Sequence, residues 1–67
     1  MIETDLFHQI VWQDGCFYII ADYTEIYTQY WVYVKDTGKR IGGTNANYYM
    51  GACRMIIKDY MRMIKGI

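Results

Sequence analysis

Few side chains in this 67-residue sequence could carry out chemistry. His8 is the one histidine, and Cys16 and Cys53 are the two cysteines. A zinc site would need all three and a fourth ligand, and none of the usual paired spacings is present. A Cys-His nucleophile needs a cleft, which a chain this short hardly offers. We expect no metal, no cofactor and no small-molecule substrate, and we interpret both cysteines as reduced, partly buried thiols.

A glycine-rich stretch, "GKRIGG" at 38–43, lies between a predicted strand and a predicted helix, which is where phosphate-binding loops occur. It matches neither GxxxxGK[ST] nor GxGxxG, so a turn is the better interpretation. No two carboxylates are placed by their spacing for acid–base catalysis. These patterns predict a protein that is not an enzyme.

The charges divide the chain into two halves, although the net charge is zero. Residues 1–29 contain five acids and no Lys or Arg, whereas residues 30–67 contain seven bases and two acids. Such a split indicates a polar partner, or two halves that attract each other.

The bases of the predicted helix form a stripe. Arg54, Lys58 and Arg62 follow one another at intervals of four, where like charges repel by roughly 0.2–0.5 kcal/mol per pair. Asp59 is the one acid on that helix. Two interpretations stay open, a solvated face or a contact with phosphates or an acidic protein patch, which the acidic hairpin of a second copy could supply. The candidate anion or nucleic-acid contacts are Lys39, Arg40, Arg54, Lys58, Arg62 and Lys65.

Aromatic side chains are concentrated in "YTQYWVYV" at 27–34, which holds four rings in eight residues. One strand buries only half of its side chains on a given face, and a lone helix covers only one face of a sheet. The sequence therefore predicts an exposed aromatic face, and such patches usually mark interaction sites. The candidate interface residues are Phe7, Val11, Tyr18, Ile20, Tyr27, Trp31 and Tyr33.

The clearest local signal is a hairpin around Asp14-Gly15, a dipeptide that suits a type I′ turn. A two-residue loop would pair Trp12 with Phe17 and Ile10 with Ile19. The predicted core face of the hairpin is then Leu6, His8, Ile10, Trp12, Phe17, Ile19, Ala21 and Tyr23.

Beyond the hairpin, the pattern predicts a third strand, a short fourth strand and a helix. Either side of strand 26–35 is apolar enough to face the core. Gly38 suits a left-handed turn position, and Gly42-Gly43 marks the end of the sheet. Thr44 or Asn45 would cap a helix that Gly66 ends. Its apolar arc is Ala52, Met63, Ile56, Tyr49, Tyr60, Cys53, Ile64, Ile57, Met50 and Met61.

The predicted fold is a single α+β domain over 1–67. It has an antiparallel meander of three to four strands, at about 6–13, 16–23, 26–35 and 39–43, and one helix, at about 46–65, on one face. This order resembles, in architecture only, the arm-type DNA-binding domains of tyrosine integrases. Those domains read DNA with basic residues on the exposed sheet, and the first two strands here have none.

The function that we expect is non-catalytic protein binding through the aromatic face, by a homodimer or by docking on a larger host protein. The chain is similar in size and style to compact inhibitors that phages and mobile elements encode against host nucleic-acid-processing or defence complexes. Nucleic-acid binding through the basic helix stripe is the alternative. With no apolar run long enough for a membrane span and no signal-peptide pattern, we expect a cytoplasmic protein.

Overall fold

A computed structural model describes residues 5–43 and 45–65. Strands β1 (His8–Gln13), β2 (Phe17–Asp22), β3 (Gln29–Val34) and β4 (Arg40–Ile41) form one antiparallel sheet in the order β1-β2-β3-β4, and helix α1 (Met50–Ile64) packs on β3. This confirms the predicted α+β meander with a C-terminal helix, although every element is shorter than predicted. The described residues contain no helix with the length and apolarity that crossing a membrane requires.

The turn between β1 and β2 differs from the predicted type I′ turn. Three residues connect the strands, and the carboxylate of Asp14 accepts hydrogen bonds from the backbone N–H groups of Cys16, at 2.7 Å, and Phe17, at 2.8 Å. The backbone N–H of Asp14 donates in turn to the carbonyl of Phe17, at 2.9 Å. Gly15 has no positive φ, so the carboxylate rather than glycine's conformational freedom shapes this turn.

The longer turn, together with a β-bulge, changes the predicted register. Trp12 pairs with Ile19, but the register shifts between Ile10 and Trp12, so that Ile10 pairs with Ile20 and His8 with Asp22. Because directly paired residues share a face, His8 and Ile10 lie on the side of the sheet away from α1. The prediction that both belong to the core face of the hairpin is therefore wrong.

Strand β3 turns Tyr30, Val32 and Val34 toward the helix. This settles the question of its facing that the sequence leaves open. Gly38 has a φ of 69°, as predicted for the left-handed position of the β3–β4 loop. The sheet strand β4 ends at Ile41, directly before the two glycines predicted to end it.

Helix α1 begins four residues later than predicted because the preceding chain continues along the sheet edge. The backbone N–H of Tyr30 donates to the carbonyl of Asn47, at 2.7 Å, and the Asn47 side-chain amide donates to the carbonyl of Tyr30, at 3.2 Å. Tyr49 is the residue at the N-cap and makes no side-chain capping bond. Asn45 is therefore not the cap, and the predictions for Thr44 and Gly66 lie outside the described residues.

The core lies between α1 and the sheet. Phe17, Ile19, Val32 and Cys53 are almost completely buried there. The ring of Phe17 meets that of Tyr60 edge to face, with centroids 5.8 Å apart. Met50, Ile56, Ile57 and Met61 of the predicted apolar arc also pack on this cluster, whereas Tyr49, Met63 and Ile64 of the same arc are exposed. The exposed members of the arc thus lie at the two ends of the helix, and the residues between them close the core.

The Asp14 turn gives a stability prediction with a defined pH dependence. Its two N–H bonds, and then the charge of Lys35, hold the pKa of the Asp14 carboxyl below its usual value. A lowered pKa in the folded state stabilises the protein above the ordinary carboxyl pKa, and this contribution is lost as the pH falls below it. We expect Asp14→Ala to lower the free energy of unfolding by about 1 kcal/mol at neutral pH, and Asp14→Asn by less.

Urea denaturation of the wild type and Asp14→Asn at several pH values measures this effect. The difference between the two proteins should shrink toward acid pH, where the wild-type carboxyl is also neutral. A difference that stays constant from neutral to acid pH would contradict the role of the charge.

Candidate functional site

The face of the sheet away from α1, here called the open face, is the candidate functional site. Among residues 5–43 and 45–65, no helix or strand packs on it. Strand alternation brings together on this face the central side chains of β2 and β3, with one neighbour from β1. Its apolar floor consists of Ile10, Tyr18, Ile20, Trp31 and Tyr33.

The middle of this floor is well packed although no element covers it. Tyr18 is 2% exposed and Ile20 is 5% exposed, because both lie on an inner strand with a paired neighbour on each side. The rings of Tyr18 and Tyr33 stack with centroids 5.1 Å apart, and burial, followed by the Tyr33 phenol, raises the pKa of Tyr18. The rings are therefore held in fixed positions before any partner arrives.

The outer part of the floor is shielded by a cation. The guanidinium carbon of Arg40 lies 4.3 Å from the ring centroid of Trp31, which is a cation–π contact. Since Arg40 occupies one face of Trp31 and Tyr18 is buried, the open face offers few free ring surfaces on which nucleic-acid bases could stack. This geometry suits side-chain packing by a protein better than base stacking.

Polar groups border the floor at opposite ends. At one end, the Nδ1 of His8 lies 3.1 Å from Oδ1 of Asp5, and its Nε2 lies 3.5 Å from Oδ2 of Asp22. Thr24 donates side-chain and backbone hydrogen bonds to Asp22, which lower the pKa of that carboxyl, and His8 adds to the effect. Both imidazole nitrogens therefore face carboxylates, so His8 is engaged in a polar cluster.

The other end of the open face carries Lys35 beside the β3–β4 loop. A shallow hollow of about 450 Å³ runs from His8 past Tyr18 and Tyr33 to Lys35 and Gly38. One end of this hollow is lined by His8, which lies 3.5 Å from Asp22, and the other end is lined by Lys35 and Asp36. The open face thus has an apolar floor with a polar, charged rim at each end, which is the usual anatomy of a protein interface.

The structure assembles four of the seven predicted interface residues, namely Tyr18, Ile20, Trp31 and Tyr33. Phe7 instead pairs with Tyr23 at the end of the hairpin, through a backbone bond of 2.7 Å. Val11 is the bulge residue at the sheet edge, and Tyr27 lies beside Tyr48 and Tyr49. The face also gains His8 and Ile10, which the predicted register placed in the core, because the bulge at Val11 exchanges the two faces of β1 before it. The available sequence signal was the run of three consecutive apolar residues from Ile10 to Trp12, which interrupts the alternation.

The six predicted anion-contact residues do not form one site. Arg54, Lys58, Arg62 and Lys65 are exposed along α1, and Arg62 lies 3.8 Å from the carboxylate of Asp59. Arg40 lies on the open face, where it contacts the ring of Trp31. Lys39 lies near Met63, close to the C-terminal end of α1. The helix stripe is therefore a surface of its own.

The two thiols lie in different surroundings. Cys16 is exposed in the β1–β2 turn, so the interpretation of both thiols as partly buried is wrong for this residue, whereas Cys53 is buried in the core, where burial raises the pKa of its thiol. Within the described residues, no three His, Cys, Asp or Glu side chains are grouped to hold a metal ion.

No protein-family model, curated protein or solved structure matches the chain.

Proposed function

We propose that this protein is a small non-catalytic binding protein that docks on a protein partner through the open face of its sheet. The observation that carries the proposal is the pre-packed apolar floor around Tyr18, Tyr33 and Trp31, over which no described helix or strand lies. Aromatic side chains in fixed positions lose little conformational entropy on binding, and Tyr, Trp and Arg are the residue types enriched at binding hot spots.

The size of the open face limits how tightly it can bind. Strands of six residues, each rising about 3.3 Å per residue and spaced about 4.8 Å apart, give a footprint of roughly 300–400 Å². A standard interface buries about 800 Å² per partner. Contact through the open face alone therefore belongs to the weak, transient class, and a tight complex needs a partner that also contacts the rims.

A second copy is the simplest partner. Two open faces packed with their strands running in opposite directions place the Asp22 end of one copy near the end of the other that carries Lys35 and Asp36, so that Asp22 can pair with Lys35. A larger protein, such as a host complex that a compact inhibitor would occupy, would add rim contacts with Asp22 and Lys35.

Trp31→Lys tests the proposed surface. We expect the wild type to show a monomer–dimer equilibrium in sedimentation equilibrium, or to retain a protein from an extract of its cells, and Trp31→Lys to weaken either association at least about tenfold. Met63→Lys is the matched control, because it places the same charge on an exposed apolar residue near the end of α1, away from the open face. Far-UV circular dichroism checks that both variants are folded.

Two results would refute the proposal. One is a wild type that stays monomeric and retains no protein. The other is an association that Trp31→Lys and Ile10→Lys leave unchanged, since both substitutions put a charge on the floor of the open face.

A further inference from the structure

A second exposed apolar surface lies at one end of the sheet, away from the open face. Among residues 5–43 and 45–65, seven of the twelve exposed large apolar side chains are found where β1 begins, β2 ends and β3 begins, and where the chain enters α1. Their exposure ranges from 42% at Tyr23 to 94% at Ile26. We call this surface the apical end, and its apolar members are Leu6, Phe7, Tyr23, Ile26, Tyr27, Tyr48 and Tyr49.

The apical end consists of two groups of contacting residues, and the β2–β3 loop runs from one group to the other. Tyr23 is hydrogen-bonded through its backbone to Phe7, at 2.7 Å, which joins the two strands of the hairpin. Tyr27 lines a shallow hollow of about 560 Å³ together with Tyr48 and Tyr49, which joins the β2–β3 loop to the entry of the helix. Exposed apolar surface on this scale usually marks an interaction site.

The charges of the apical end have one sign. Asp5, Asp22 and Glu25 lie at its margin, and its described segments, 5–8, 22–28 and 45–49, contain no Lys or Arg. Asp5 and Asp22 are kept ionised to low pH. The backbone N–H of Phe7, followed by His8, lowers the pKa of Asp5. The hydrogen bonds from Thr24, followed by His8, lower the pKa of Asp22. The apical end is thus apolar with an anionic margin.

The solvent side of α1 has the opposite character. Arg54, Lys58, Arg62 and Lys65 are exposed there, spread over about 16 Å of helix. Met55 is also exposed, and at 100° per residue it projects beside Arg62 and Lys58. These five residues form what we call the basic helix face, an exposed methionine among cations. Its length is close to the width of the four-stranded sheet, about 15–19 Å.

From this complementarity we infer that the apical end of one copy docks on the basic helix face of a second copy. In this contact, the apolar side chains of the two copies meet around Ile26 and Met55. The acids of the apical margin meet the four cations of the helix face. Among the described residues, one of these cations, Arg62, also lies 3.8 Å from an acid of its own helix, Asp59. The contact is head to tail, so each copy keeps one surface free, and association continues beyond a dimer. This inference does not depend on the open face.

The salt dependence of self-association tests the inference. We expect sedimentation velocity at about 0.02 M salt to show oligomers that grow with protein concentration, and about 0.5 M salt to dissociate the head-to-tail contacts, because exposed charges are screened at that ionic strength. A sheet-face dimer would be a discrete species with little salt dependence. Trp31→Lys should remove the sheet-face dimer and leave the head-to-tail series intact.

A complementation experiment tests the two surfaces separately. Ile26→Lys breaks the apical end, and the double variant Arg54→Glu with Lys58→Glu breaks the basic helix face; all three residues are exposed. Alone, each variant should associate at least about tenfold more weakly than the wild type. Mixed, the two variants should form a one-to-one dimer, because the intact helix face of the first fits the intact apical end of the second.

Several outcomes would overturn the inference. These are a wild type that stays monomeric at low salt, oligomers that neither variant weakens, and a mixture that forms no dimer. Another is a wild type that does not self-associate but binds a DNA or RNA oligonucleotide with a steep salt dependence, lost in the Arg54→Glu, Lys58→Glu variant. That result would assign the basic helix face to nucleic-acid phosphates.

Discussion

Ile19→Ala is expected to lower the free energy of unfolding by about 3–4 kcal/mol, and Ile20→Ala by about 1–2 kcal/mol. The two residues are neighbours on β2, and both are buried, with 0% and 5% of their surface exposed. Ile19 packs in the core under α1. Truncating it leaves a closed cavity, which adds to the lost transfer free energy. Ile20 lies on the open face, where water fills the space that truncation opens.

Urea denaturation monitored by circular dichroism measures both effects. A domain of this size has only about 3–5 kcal/mol of stability, so Ile19→Ala is expected to be largely unfolded. Ile19→Val is expected to lower the free energy of unfolding by about 0.5–1.5 kcal/mol, so this variant stays folded and its loss can be compared with that of Ile20→Val. Equal losses for matched substitutions at Ile19 and Ile20 would contradict the distinction between a closed and an open side of β2.

The same comparison connects stability with the proposed function. If a second copy covers the open face, the loss at Ile20 grows with protein concentration, because the dimer then contributes to the stability of the wild type. The loss at Ile19 contains no such contribution. Measuring the unfolding free energies of the wild type and Ile20→Ala at several protein concentrations therefore reports whether the open face is covered in solution.

Periodicity was sufficient to predict the elements and their order. Alternation over 29–34 and the 3.6-residue pattern of α1 each extend over many residues, so a single exception does not change the outcome. The grouping of Tyr18 and Ile20 with Trp31 and Tyr33 followed from the same alternation, and the β2–β3 pairing confirms it. Which side of β3 faces the helix could not be predicted, since Tyr30, Val32, Trp31 and Tyr33 are all apolar enough for a core.

Features that depend on one residue were missed. The carboxylate of Asp14 selects a three-residue turn, and Ile10, Val11 and Trp12 are three consecutive apolar residues, so alternation does not show which of them bulges. The turn shifts the pairing by two residues, which keeps each side chain on its face, and the bulge at Val11 then shifts it by one, which moves His8 and Ile10 to the open face. The late start of α1 has a similar cause, because the backbone bond between Tyr30 and Asn47 competes with helix formation.

Gly42→Ala is expected to destabilise the protein by about 2–3 kcal/mol, whereas Gly43→Ala is expected to cost about 1 kcal/mol. Both glycines have positive φ, 100° at Gly42 and 82° at Gly43, so alanine is strained at either position. They differ in their surroundings. A Cβ at Gly42 would lie 2.6 Å from Cδ1 of Ile56 and 3.1 Å from its Cγ2, whereas a Cβ at Gly43 would meet nothing within 4 Å.

The difference between the two alanine variants therefore isolates the contact between the chain after β4 and the helix. Ile56→Val removes the Cδ1 atom, and it should lessen the effect of Gly42→Ala by about 0.5–1 kcal/mol in a double-mutant cycle. The same substitution should leave the effect of Gly43→Ala unchanged. The two cycles need the wild type, the three single variants Gly42→Ala, Gly43→Ala and Ile56→Val, and the two double variants that combine Ile56→Val with each glycine substitution. Chemical denaturation of these six proteins supplies every free energy of both cycles.

This contact also sets where the basic helix face points. Ile56 holds α1 against Gly42, and Arg54 and Lys58 lie within two residues of it on the solvent side. If Gly42→Ala costs no more than Gly43→Ala, the close approach at Ile56 is not what positions the helix. If the cycle shows the expected coupling, Gly42→Ala shifts α1 on the sheet, and the head-to-tail association should weaken in that variant although no charge has changed.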